Sequence, residues 1–273
     1  MMEMKKATEK YRYSMILLKE LVKTDFKLRY QGSVLGMVWS VLKPIMMFAI
    51  MYVVFVHFLR FGADVPHFAV ALLAGNVLWA FFTEATGRGM QSVMERGDLL
   101  RKINFPKYIV VISATVSALI NLTINLTVVV IFAAINGVSF GWGVLLLPVF
   151  ILQLYLLALG LAFLLSALYV KFRDVQHIWD VLLQGAFFAT PIIFPITMIY
   201  YMSPIGAKIM LMSPVAQVIQ DVRYHLIWQG TGTVWNMIEN PFIRLIPVGV
   251  SIGAFVLGMV VFRKNSKRFA EEI

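Results

Sequence analysis

The chain has 273 residues, 60% of them hydrophobic and only 14% charged, and its mean hydropathy is +0.81. A soluble domain carries about 25% charged residues, so this composition excludes a soluble enzyme and defines an integral membrane protein. The absence of cysteine excludes disulfide frameworks and thiolate metal sites, and the formal charge of +10 reads as loops facing anionic lipid rather than as a nucleic-acid surface.

In chain order, residues 1–33 come first, a charged region with no short apolar core and small-residue cleavage site, so no removable leader is expected. As a helix, residues 10–30 place Met15, Leu17, Leu18, Leu21, Val22, Phe26 and Leu28 on one half, and Lys19, Lys23 and Lys27 on the other. That pattern predicts an interfacial amphipathic helix, basic on its wet side. Asp25 and Arg29 form an i,i+4 pair within the apolar half. Two readings stand for it: a solvated surface pair, or a pair packed beneath the spans or against a partner.

A bilayer core about 30 Å thick needs roughly 20 apolar residues in a helix. Six runs qualify: 34–59, 67–83, 108–135, 144–170, 178–195 and 242–262. The segments 1–33, 84–107, 171–177 and 263–273 together hold nineteen Lys and Arg, against three in the alternate loops, with Lys43 and Arg244 inside spans. The positive-inside rule then places both termini in the cytoplasm of a cell (plasma or inner) membrane. The fold class expected is all-α integral membrane, with an N-terminal amphipathic interface helix, six transmembrane helices and short re-entrant helices between spans 5 and 6. Residues 34–273 form one six-span domain.

Between spans 2 and 3 lies a charged island, E-R-G-D-L-L-R-K-I-N-F-P-K-Y, residues 95–108. Residues 93–103 fit a short helix that Pro106 stops. It carries Glu95, Arg96, Asp98, Arg101 and Lys102 beside Leu99, Leu100 and Ile103. A short amphipathic helix at the tip of a hairpin suits docking into the groove of a soluble cytoplasmic partner. The alternative is a loop folded onto its own protein.

After span 5, Ser203-Pro204 and Ser213-Pro214 each read as an N-cap followed by Pro at the first helical position. Two short apolar helices follow, 204–211 and 214–228, within an outer region of about 196–229. They form either a re-entrant hairpin or a cap lying on the interface.

The motifs of soluble chemistry are missing. There is no G-x-x-x-x-G-K-[ST] phosphate loop and no H-E-x-x-H, and His57, His67, His177 and His225 fall in separate places, so no metal site or catalytic residue is assigned. Glu84 reads as the cytoplasmic end of span 2. Without a carboxylate deep in a span, a proton pump is disfavoured.

The run D-F-K-L-R-Y-Q-G-S-V-L-G-M-V-W-S-V-L-K-P at 25–44 resembles the entry to the first span of the polysaccharide-exporting ABC-2 permeases, which include the O-antigen, capsule and wall teichoic acid exporters. L-L-R-K-I-N-F-P-K at 99–107 is similar to their coupling-helix exit, and F-R-D-V-Q-H-I at 172–178 with T-P-I-I-F-P at 190–195 is similar to their span 4 to span 5 region. The order holds over nearly the whole chain.

This resemblance implies a non-enzymatic permease subunit that pairs with a second copy of itself and with two cytoplasmic ABC ATPase subunits. The chain would hold no cofactor of its own, ATP and Mg being bound by the ATPases. Residues 91–105 would be the coupling helix, with Asp25 and Arg29 flanking the same contact. The cargo implied is a polymer on polyprenyl pyrophosphate, moved outward, with wall teichoic acid favoured and O-antigen or capsule next. The family more often carries Asn-Pro where this chain has Lys43-Pro44, so Lys43 either snorkels or meets a lipid phosphate.

For the path, Phe48, Tyr52 and Phe55 form an i, i+4, i+7 stripe, and Phe187 and Phe188 lie on span 5. As a set these rings either stack on moving sugars or pack. Tyr200 and Tyr201 make either an outer gate or an interface belt. Two rival classes remain: an ABC-2 exporter of a drug or small lipid, and a membrane scaffold or enzyme that does not transport.

Overall fold

The computed structural model describes residues 2–29, 35–102, 105–267 and 269, and for residues 2–11, 26, 28, 29 and 37 the backbone alone. All regular elements among them are helical. In chain order they are α1 (Met2–Arg29), α2 (Trp39–Met51), which runs on as a π-helical segment Tyr52–Phe58, α3 (Phe68–Glu95), α4 (Gly97–Lys102), α5 (Tyr108–Ile135) and α6 (Leu147–Lys171). Then come α7 (Val175–Phe188), α8 (Ile196–Met202), α9 (Pro204–Leu211), α10 (Pro214–Leu226), α11 (Val234–Met237), α12 (Pro241–Arg244) and α13 (Ile246–Asn265).

Among the described residues five helices are long and apolar enough to cross a bilayer: Trp39–Phe58, Phe68–Glu95, Tyr108–Ile135, Trp142–Lys171 and Ile246–Asn265. The sixth expected run gives α7 instead, which ends at Phe188; non-helical chain leads from there to α8. At 1.5 Å per residue α7 is about 21 Å long, less than the hydrocarbon thickness.

The helix α3 is the axis of the bundle, buried over most of its length between α5 and α6. Small residues permit this. A Cβ on Gly89 would stand 2.4 Å from the Cβ of Ala162, so α3 and α6 meet almost backbone to backbone there. On the far side of α6 the contact with α13 is closer still: a Cβ on Gly258 would lie 1.9 Å from the Gly160 carbonyl oxygen. Between helices in lipid, where no hydrophobic drive exists, such small-residue crossings supply the packing energy.

The span containing α2 is the least buried. It touches α3 and α5 along one side, and Phe48 sets its ring edge-on against Phe132 of α5 at 5.4 Å. On the opposite flank α7 touches α3 and α6 without burying any residue fully. Trp179 of α7 donates to the Thr86 hydroxyl of α3 at 3.1 Å.

The amphipathic α1 lies against α5. Leu17, Leu18 and Leu21 pack into a second core with Val93, Leu100, Phe105 and Phe262, while Lys19, Lys23 and Lys27 stay exposed as expected. At the other end of the bundle, α10 docks on α3, α6 and α13. The short helix α9 covers the residues expected for it, with the Ser203 hydroxyl accepting from the Gly206 amide at 3.1 Å. Ser213 precedes Pro214 in extended backbone without a side-chain cap, and α10 ends at Leu226 rather than 228.

Candidate functional site: a polar cleft within the bundle

An open cleft of about 760 Å³ lies between α2, α3, α5 and α7. Its longest wall is one face of α3. Asn76, Ala80, Thr83, Glu84, Gly87, Arg88 and Gln91 recur at helical spacing and all line it. The helix α5 adds Asn121 and Asn125, α2 adds Trp39, Lys43 and Met47, and α7 adds Asp180.

Glu84 organises this wall. Its Oε2 accepts from the Asn121 amide at 2.8 Å, and its Oε1 faces the Arg88 guanidinium at 3.5 Å. The Asn125 amide donates back to the Asn121 carbonyl at 2.9 Å. Sequence reasoning had put Glu84 at the end of a span and had found no carboxylate inside one. The helix itself does not stop there: α3 continues to Glu95, so Glu84 lies within it rather than at its end. Polar and ionisable side chains at such a position are costly unless paired or facing a water-filled cavity, and they mark pathways.

Of the residues expected along a path, Lys43 lines the cleft. The aromatic residues are placed elsewhere. Phe48, Phe55 and Phe187 are half-buried against the main core, Phe187 standing edge-on to Trp79 at 5.8 Å. Tyr52, Phe188, Tyr200 and Tyr201 are exposed, and the last two touch each other at 6.5 Å on α8. The cleft's amides were missed because they come from separated helices. The usable signal was the polar stripe on α3, since Asn76, Thr83, Glu84, Arg88 and Gln91 share one face of an otherwise apolar run.

The charged island forms a different structure at the basic end. Instead of one helix over 93–103, α3 ends at Glu95 and Gly97 begins α4, while Ile103 and Asn104 lie outside the described residues. Arg96, at the break, turns inward. One guanidinium nitrogen pairs with the Asp25 carboxylate of α1, and another donates to the Ser113 hydroxyl of α5 at 2.6 Å. Asp25 therefore pairs with Arg96; the Arg29 side chain lies outside the described residues. Leu100 is buried and Leu99 half-buried in the second core, whereas Glu95, Asp98, Arg101 and Lys102 are exposed.

A third polar cluster sits on α10. Arg223 is buried and donates to the carbonyls of Ala71, Pro191 and Ile192 at 2.9, 2.6 and 2.7 Å. Two of those carbonyls belong to the non-helical stretch between α7 and α8. Nearly two turns earlier on α10, Gln217 accepts from Gln153 of α6 at 2.5 Å and donates to Asp221 at 2.5 Å.

Membrane-length helices around an open, polar-lined cleft, with a charged helix at one end, are the architecture of a membrane transport protein. The chain belongs to the ABC-2 type transporter family, whose model matches residues 16–227. That match takes in every helix lining the cleft. The chain is 34% identical over 191 residues to an O-antigen export system permease protein of Myxococcus xanthus, covering 70% of this chain and 72% of the relative. It is 26% identical over 263 residues to an O-antigen export system permease protein of Klebsiella pneumoniae, covering 95% of each.

Proposed function

We propose that the chain is the membrane-spanning permease subunit of an ATP-driven exporter that carries a lipid-linked glycan outward across the cell membrane. The observation that carries this reading is the cleft: about 760 Å³ of open space inside the bundle of an ABC-2 family chain, with a polar stripe set in an otherwise apolar wall. The relatives' names favour O-antigen as the cargo. Nothing in them supports wall teichoic acid, toward which the sequence leaned.

The sequence has no phosphate loop, so the energy comes from separate ATPase subunits, two of them serving two copies of the permease. Glu95 at the end of α3 and the exposed side of α4, with Asp98, Arg101 and Lys102, receive the ATPase at the cytoplasmic face. Leu100 is committed to the permease's own core, so this docking is made by charge at the rim more than by leucine anchors. In this reading α7, the non-helical stretch after it and α8 complete a sixth crossing, both termini are cytoplasmic, and α9 with α10 forms the hairpin that dips back from the outer face.

Deleting the chain from its host tests the proposal. The expected result is loss of surface glycan with lipid-linked glycan accumulating inside, restored by the wild-type chain. Purification in mild detergent should bring along a subunit with a phosphate-binding loop. Unchanged surface glycan with altered small-lipid export would replace the glycan cargo by a small one, and purification without any ATPase would overturn the exporter reading.

A further inference from the structure

Four titratable side chains line the cleft: the cations Lys43 and Arg88 and the carboxylates Glu84 and Asp180. Their charges cancel. A site built to hold a pyrophosphate needs a positive excess and an array of donors. This wall lacks the excess, and one of its two cations is already turned to Glu84.

The wall offers carboxamides instead. Asn76 is 6% exposed and lines the cleft. Among the described residues nothing hydrogen-bonds its carboxamide, whose polar atoms are not enclosed by protein and so are left to the open space of the cleft. Asn125 is equally buried and uses its amide nitrogen on the Asn121 carbonyl; no described donor reaches its Oδ1. The Asn121 amide is held toward Glu84. Next to Asn76 on the same helix, Trp79 also lines the cleft, nearly buried and braced by Phe187.

Carboxamides present a donor and an acceptor side by side, which is the pattern a sugar hydroxyl meets with its own donor and acceptor. Phosphate oxygens only accept. A polyprenyl tail does neither and would leave the amides unpaired.

We infer that Asn76, Asn125 and the Glu84–Asn121 pair form a sugar-hydroxyl subsite, which reads the uncharged ring next to the lipid carrier while the phosphates stay outside this wall. The inference rests on the glycan-export reading and adds to it the part of the cargo that the cleft recognises.

The test uses the full complex with its ATPase subunits in lipid nanodiscs and two probes: a bare polyprenyl pyrophosphate, and the same lipid carrying one N-acetylhexosamine. The wild type is expected to bind the sugar-bearing lipid about tenfold more tightly. Asn76→Leu and Asn125→Leu, close in volume, should each bring that affinity down to the bare lipid's and leave the bare lipid's unchanged. Asn76 gives up no described protein hydrogen bond and Asn125 only its two to Asn121 one turn back in the same helix, so the two variants check each other, with monodispersity and Tm as the folding control. Equal wild-type affinity for both probes, or a preference that survives both substitutions, would overturn the subsite while leaving the exporter reading in place. Failure of the wild type to bind either probe would remove both.

Discussion

Arg96 joins three helices through one guanidinium. It sits where α3 breaks, takes the Asp25 carboxylate of α1 on one side and gives a hydrogen bond to Ser113 of α5 on the other. Most of its side chain is out of solvent, so the pair is screened less than a surface pair and each charged hydrogen bond contributes about 1.5–3 kcal/mol. The consequence is specific to α1, whose other anchors are the leucines facing the second core. Arg96→Met should loosen α1 from α5, speed limited proteolysis within residues 2–29 and lower Tm. Asp25→Asn should do much the same, and the double variant should be little worse than either single one. Additive losses in that cycle would mean that the two side chains act independently. The sequence paired Asp25 with Arg29 because i,i+4 spacing is the only geometry it displays; a partner 71 residues away across a helix break leaves no local trace.

At the scale of elements, α4 separates two roles that its sequence runs together. Its leucines look like partner anchors beside a charged rim, yet Leu100 is only 7% exposed and fills the core between α1, α5 and the end of α3. Leu100→Ala should therefore cost about 2–5 kcal/mol of stability, seen as lower Tm and yield of the permease itself. Asp98→Ala with Arg101→Ala touches only exposed side chains and should leave Tm within about 1 °C, since surface changes cost little, while reducing the ATPase recovered with the permease. Unchanged recovery from that double variant would remove α4 from the docking surface. Elements whose signals are local were legible in this way: α5 and α9 begin and end where the apolar run and the Ser-Pro cap place them. The length of α3 was not, because polar residues after 83 ended the apolar run. Glu84, Arg88 and Gln91 among them continue the cleft wall that begins at Asn76, so the hydropathy signal stopped partway along the site.

For the whole molecule the open quantity is the number of crossings, and the physics of α7 bears on it. A 14-residue helix is too short alone, and the non-helical chain beyond it carries backbone groups that hydrocarbon would leave unsatisfied. Here that backbone is enclosed by protein: Thr190, Pro191, Ile192 and Ile193 are buried, and Arg223 takes the carbonyls of Pro191 and Ile192. With α8 added, the helical length reaches about 30 Å, so in the six-crossing reading α7, the break and α8 would make one interrupted crossing, its irregular middle satisfied by Arg223 of α10. Cysteine scanning decides this cleanly because the chain has no native cysteine. Gly141, Arg173, Tyr201 and Arg263 are all exposed. With six crossings, Gly141→Cys and Tyr201→Cys should react with an impermeant maleimide on intact cells, while Arg173→Cys and Arg263→Cys should react only after permeabilisation. With five, Gly141 and Arg173 would behave the same, but Tyr201→Cys would be protected and Arg263→Cys labelled. The pair at 201 and 263 thus inverts between the two topologies, and labelling of Arg263→Cys from outside would refute the interrupted crossing, and with it the placement of both termini on the ATPase side.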